Sequence, residues 1–204
     1  MKRREFITLL GGAAAWPISA RAQQSDKVRR IGVLMGGAGR DPVEQARLAA
    51  FLDGLQQLGW TDGRNVRIDT RWPAGDADRR TYAAELIGFA PDVILASASA
   101  SVAALQQASR SAPIVFASVI DPVGAGFVAS LAQPGGNATG FTAFEYGISG
   151  KWLELLKEIA PHMTRAAVLR DPALAAGIGQ FAAIQSMASS SAVELSAIDT
   201  RNGE

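Results

Sequence analysis

The chain has 204 residues, with 20 basic and 19 acidic side chains, one histidine and no cysteine. The missing cysteine excludes thiol catalysis, disulfides, thiolate metal sites and a lipid-anchored cysteine, and His162 alone supplies no imidazole cluster for zinc or copper. No basic patch stands out, so nucleic acid is not expected as a partner.

Residues 1–22 read as a targeting peptide. Lys2, Arg3 and Arg4 precede an apolar run from Phe6 to Trp16, and Ala20-Arg21-Ala22 forms an A-x-A cleavage site after Ala22. The run falls short of the roughly 18 apolar residues that would span a bilayer. Arg3-Arg4-Glu5-Phe6-Ile7 resembles the twin-arginine motif, so the twin-arginine translocase is the expected partner during export and the periplasm the expected location. Removing the segment's four basic and one acidic residue leaves 16 basic and 18 acidic, a mature charge near −2.

From residue 23 onward, apolar runs alternate with amphipathic helical stretches between short Gly, Pro, Asp or Ser punctuation. This is the pattern of an α/β fold, a parallel sheet covered by helices. Strands are predicted at Arg30–Met35, Asn65–Arg71, Asp92–Ala96, Ile114–Ser118, Ala138–Phe141, Ala166–Leu169 and Val193–Ile198. A helix after the first strand carries Leu48, Phe51, Leu52, Leu55 and Leu58 at spacings that predict packing on a sheet, and Gly59 ends it. Further helices are predicted at Ala77–Phe89, Ser99–Arg110, Val123–Leu131, Ser149–Ile159 and Leu174–Ala188.

The turn formers Pro134-Gly135-Gly136-Asn137 mark the best boundary. They divide an N-terminal α/β lobe at 23–120 and a crossover at 121–137 from a second lobe beginning at 138. That second lobe is expected to be incomplete, because residues 138–204 supply only two strand-helix units and a strand before Arg201-Asn202-Gly203-Glu204.

Ligands of open parallel sheets sit outside the carboxyl ends of the strands. The loops there are Gly36–Asp41, Ser97–Ser99, Ser118–Asp121, Phe141–Glu145 and Arg170–Asp171. Gly37 suits close approach of a ligand to backbone. Ser97 and Ser99 suit a carboxylate at the positive end of a helix, or alternatively a plain serine N-cap. Asp41, Asp121 and Asp171 each precede a proline, which fits helix capping or ligand contact. Phe141, Thr142 and Glu145 are the candidates in the remaining loop, with Phe144 and Tyr146 beside them. The aromatic rings suit a flat ligand or core packing, and Glu145 a ligand ammonium or solvent.

Enzymatic readings fare poorly. Gly37-x-Gly39 meets Pro42 where a dinucleotide-binding turn needs its third glycine, so no nucleotide cofactor is expected, and no Walker lysine follows. Gly147-Ile148-Ser149-Gly150 meets Lys151 where a nucleophile elbow needs glycine. His162 falls between a helix and the next strand, at the wrong edge of the sheet for a triad.

Several runs then resemble one family. They are Arg30-Ile31-Gly32-Val33-Leu34-Met35, Pro91-Asp92-Val93-Ile94-Leu95-Ala96, Pro113-Ile114-Val115-Phe116, Asp121-Pro122-Val123-Gly124-Ala125-Gly126-Phe127-Val128 and Pro134-Gly135-Gly136-Asn137-Ala138-Thr139-Gly140. They are similar to the substrate-binding proteins of ABC transporters with the type I periplasmic binding fold, a group with tryptophan- and tyrosine-binding members. The resemblance implies two lobes closing on a small solute, an ABC permease as partner, no catalysis and no cofactor. A periplasmic sensor module and a Rossmann-type oxidoreductase are the alternatives. Two departures stand out: the family commonly has glycine where Ala98 stands, and its chains run well beyond position 204.

Overall fold

The computed structural model describes residues 28–200, so the targeting peptide lies outside the described residues. In chain order the elements are β1 (Arg29–Leu34), α1 (Pro42–Gln57), β2 (Val66–Arg71), α2 (Asp76–Gly88), β3 (Val93–Ser97), α3 (Ser99–Ala108), β4 (Ile114–Ile120), β5 (Ala138–Phe144), α4 (Ile148–Ile159), β6 (Arg165–Arg170), α5 (Ala175–Ser191) and β7 (Glu194–Asp199).

Strands β1 to β5 form one parallel sheet in the order β2-β1-β3-β4-β5, and β6 pairs with β7 in a second parallel sheet. In β1 the consecutive residues Val33 and Leu34, and Met35 after them, are all enclosed, which requires cover on both faces. The main core joins Leu34, Leu86, Ile94, Val102, Leu105, Ile114, Phe116 and Val119, so α2 and α3 are pinned to the middle strands. A smaller core of Leu153, Ile184, Ala188 and Val193 holds α4 and α5 on the second sheet.

Three expectations from sequence are corrected. The strand from Ala138, assigned to the second lobe, pairs with β4 and closes the first sheet, so the first unit runs to Phe144. Gly140 makes this pairing possible: at φ +157° a Cβ there would sit 2.1 Å from the Phe116 carbonyl oxygen. Only a residue without Cβ lets the two backbones meet where β4 is irregular.

The helix expected at Val123–Leu131 is a single turn. Gly126 takes φ +74°, the Phe127 N–H donates to the Pro122 carbonyl at 2.9 Å, and the Gly126 N–H donates to that of Val123 at 2.9 Å. This is a Schellman stop, and it frees Val128 to enter the core. Finally, the apolar stripe of α1 is only half buried: Leu48, Phe51 and Leu55 are partly covered, whereas Leu52 is exposed and Leu58, the C-cap residue, is 77% exposed. An apolar hollow of about 280 Å³, lined by Ile31, Leu55, Trp60, Val66 and Val93, lies at the amino-end edge of the sheet.

Candidate functional site

The strand order reverses between β1 and β3, and the crevice outside the carboxyl ends of those two strands is where a doubly wound sheet binds ligand. The loop after β1 is held there from both sides. The Gly36 N–H donates to Glu44 Oε2 at 2.9 Å, and the Gly36 carbonyl accepts from Arg79 Nη2 at 2.8 Å. Glu44 is only 5% exposed and also forms an ion pair with Arg47. Gly37 follows directly. Gly39 lies on the Trp72 indole, with a Cβ position 3.2 Å from Trp72 Cγ. Asp41 caps α1, accepting from the Val43 N–H at 2.8 Å with Pro42 in the first turn, so its carboxylate is committed to the helix.

At the end of β3, the serine-cap expectation is corrected. The N-cap of α3 is Ala98, at φ +70°, and no side chain caps the helix. That left-handed backbone is a physical reason for glycine to suit this turn. Ser97 is buried. Ser99 Oγ accepts from the Ile120 N–H at 3.3 Å, and Ser101 Oγ donates to the Met35 carbonyl at 2.9 Å. The first turn of α3 is thereby fastened to the ends of both β1 and β4, with its uncapped amino end at the crevice.

At the end of β4, Ser118 and Asp121 also have positive φ, at 57° and 40°. Three of the five non-glycine residues with positive φ among the described residues therefore lie on this edge, the kind of strain that gathers at binding sites. Asp121 does not cap a long helix: its carboxylate accepts from the Gly124 N–H at 2.7 Å and the Tyr146 N–H at 3.3 Å, tying β4 to the end of β5. Thr142 Oγ1 donates to the Val119 carbonyl at 3.1 Å, which turns it to the sheet. Phe141 is 76% exposed and Glu145 is exposed, both toward the far end of β5. Phe144 meets Trp152 edge-on at 5.8 Å. Burial and then the Asp121 carboxylate raise the Tyr146 phenol above its ordinary range. Asp171 makes a turn with the Ala173 N–H at 2.9 Å, while Leu174 is the cap residue of α5.

Hydrogen bonds and backbone contacts thus connect the loops of Gly37, Ser97, Ser99 and Asp121, commit Asp41 and Thr142 to local structure, and leave Phe141 and Glu145 outside. Sequence reasoning missed Glu44, Arg79 and Trp72. Trp72 directly follows β2 and was recoverable, since the loop after that strand belongs to the same edge. Glu44 and Arg79 sit on helices and carried no comparable signal. Among the described residues no group of three or more acidic or histidine side chains could hold a metal ion, and His162 occupies the turn before β6.

The family described as ABC transporter substrate binding protein matches this chain over residues 40–202. The chain belongs to that family. It is 33% identical over 120 residues to the tyrosine-binding protein of Clostridioides difficile, covering 58% of this chain and 34% of that protein. A conserved domain protein of Vibrio cholerae superposes with a TM-score of 0.75 at 29% identity, over 85% of this chain and 58% of that one. The ABC domain of a Streptococcus pneumoniae protein in complex with L-Trp gives 0.74 at 23% identity with the same coverage, a likeness of fold alone. This chain therefore spans about a third of the curated relative and less than three fifths of these solved structures. The solved fold neighbours include leucine- and isoleucine-binding proteins, which places the architecture among type I periplasmic binding proteins.

Proposed function

We propose that this family member is the solute-recognising part of an ABC-type importer and that it takes a small organic carboxylate, with an aromatic amino acid as the leading choice. The observation that carries the proposal is the uncapped amino end of α3, set at the reversal point of the strand order beside Gly36 and Gly37. A helix start presents unbonded N–H groups and a partial positive charge, which together favour an anion. Ser97, Ser99 and Gly37 line that end, Trp72 against Gly39 offers aromatic surface on the same edge, and Asp121 is an acid there for an ammonium group. The names of the relatives, one a tyrosine-binding protein and one solved with L-Trp, point to the same solute class.

On this reading the protein works without chemistry on the solute: lobe closure excludes water from the crevice and presents a closed surface to the permease. Arg3-Arg4-Glu5-Phe6-Ile7 and Ala20-Arg21-Ala22 support delivery to the periplasm by the twin-arginine translocase with cleavage after Ala22. Titration calorimetry with L-tyrosine, L-tryptophan, L-leucine and benzoate tests the solute class. Saturable heat with the aromatic amino acids supports it, and no heat with any of the four contradicts it. Fractionation of cells expressing the Arg3→Lys, Arg4→Lys double variant tests export, which should stop.

A further inference from the structure

Tyr146 follows β5 and precedes α4, where the chain leaves the first sheet for the second. Its ring is held between glycines of both units. On one side is Gly124, in the turn after β4, where a Cβ would lie 2.8 Å from Tyr146 Cε2. On the other is Gly179, early in α5, where a Cβ would lie 2.3 Å from the same atom. No side chain but hydrogen fits at either position with the ring in place. The Tyr146 backbone N–H donates to the Asp121 carboxylate at 3.3 Å, which ties the main chain that carries the ring to the turn after β4. Its hydroxyl is buried with no protein partner, and so is Ser149 Oγ, three residues on. Buried hydroxyls are normally bonded, so these two mark a seam whose packing is dictated by shape rather than by polar pairing.

We infer that Tyr146 is an interlobe wedge, a positioning residue whose ring, seated between Gly124 and Gly179, sets the angle between the two sheet units. Closely packed seams of this kind have discrete arrangements rather than a continuous range, so filling or emptying the slot moves the angle in a step. The link to affinity rests on the solute-binding reading; the angle itself does not.

The absence of cysteine allows spin labels at two chosen places, Asp53→Cys on α1 and Ser190→Cys on α5, both exposed. Electron–electron double resonance on the full chain then reads the distance between units without any solute. Gly179→Ala, which overfills the slot, and Tyr146→Ala, which empties it, should each shift or broaden the distance distribution. Tyr146→Phe keeps the ring, and Gly147→Ala adds a methyl where nothing lies within 4 Å, so both should match the parent. Should Gly179→Ala fail to fold, Tyr146→Ala decides alone. A parental distribution in folded Tyr146→Ala overturns the wedge. In a parallel L-tyrosine titration, a variant that reaches the closed angle about a tenth as often should bind about tenfold more weakly. A shifted distance with no L-tyrosine binding by the parent upholds the wedge and counts against the solute assignment.

Discussion

Replacing Ser97 and Ser99 together by alanine separates ligand contact from folding. The structural cost is small. Ser99 Oγ accepts one backbone bond, at 3.3 Å, and so sits at the weak end of the roughly 0.5–1.5 kcal/mol that a hydrogen bond contributes. Neither serine caps α3, so no capping energy is lost. Even with a further fraction for the enclosed Ser97 hydroxyl, the total stays under about 2 kcal/mol, against the 5–15 kcal/mol that domains commonly have. If the two hydroxyls help to hold a solute carboxylate, the loss on binding is about 1–3 kcal/mol, or roughly 5- to 150-fold in Kd. Calorimetry with L-tyrosine and urea melts on the same two proteins measure both quantities. Unchanged affinity with reduced stability would refute the reasoning and confine these serines to tying α3 to β4.

Glu44→Ala should cost about 1–3 kcal/mol in a urea melt, because it strips the Gly36 N–H of a buried carboxylate partner and leaves Arg47 unpaired. Gly140→Ala should abolish the native fold or destabilise it by more than about 4 kcal/mol, since its Cβ would overlap the Phe116 backbone; a near-parental melt would contradict the β4–β5 register. Tyr146 favours its protonated form in the folded protein, so its contribution to stability is complete below about pH 10 and is lost as pH rises through the raised folded-state value. Tyr146→Phe should therefore flatten the alkaline limb of a stability-versus-pH curve while leaving the region near neutrality unchanged in slope.

The fold was legible because parallel strands of a covered sheet write themselves as short apolar runs, and Val33-Leu34-Met35 and Val93-Ile94-Leu95 are hard to place elsewhere. What escaped were features decided by a single backbone conformation or by a partner distant in sequence. Val123–Leu131 has helical composition, yet Gly126 in the left-handed region ends it after one turn. Pro134-Gly135-Gly136-Asn137 does break the chain, but the pairing of Ala138 with Ile114 returns the next strand to the same sheet, and no local signal encodes that choice. For the site, carboxyl-edge loops could be named from strand positions alone. Their division of labour could not. Asp41 and Asp121 share an Asp-Pro signature, but one caps a helix while the other joins two strand ends. Glu44 looks like an ordinary first-turn acid until the fold sets it against Gly36.

The central claim is that solute binds at the carboxyl edge of β1 and β3, and backbone amide chemical shifts test it most directly, because they register even weak occupancy residue by residue. On titration of the isotope-labelled chain with L-tyrosine, the largest shifts should fall on the amides of Gly36, Gly37, Ser97, Ala98 and Ser99, with smaller ones at Ile120 and Asp121. Shifts confined to the opposite edge, around Ile31, Trp60 and Val93, or no shifts at millimolar solute, would contradict it.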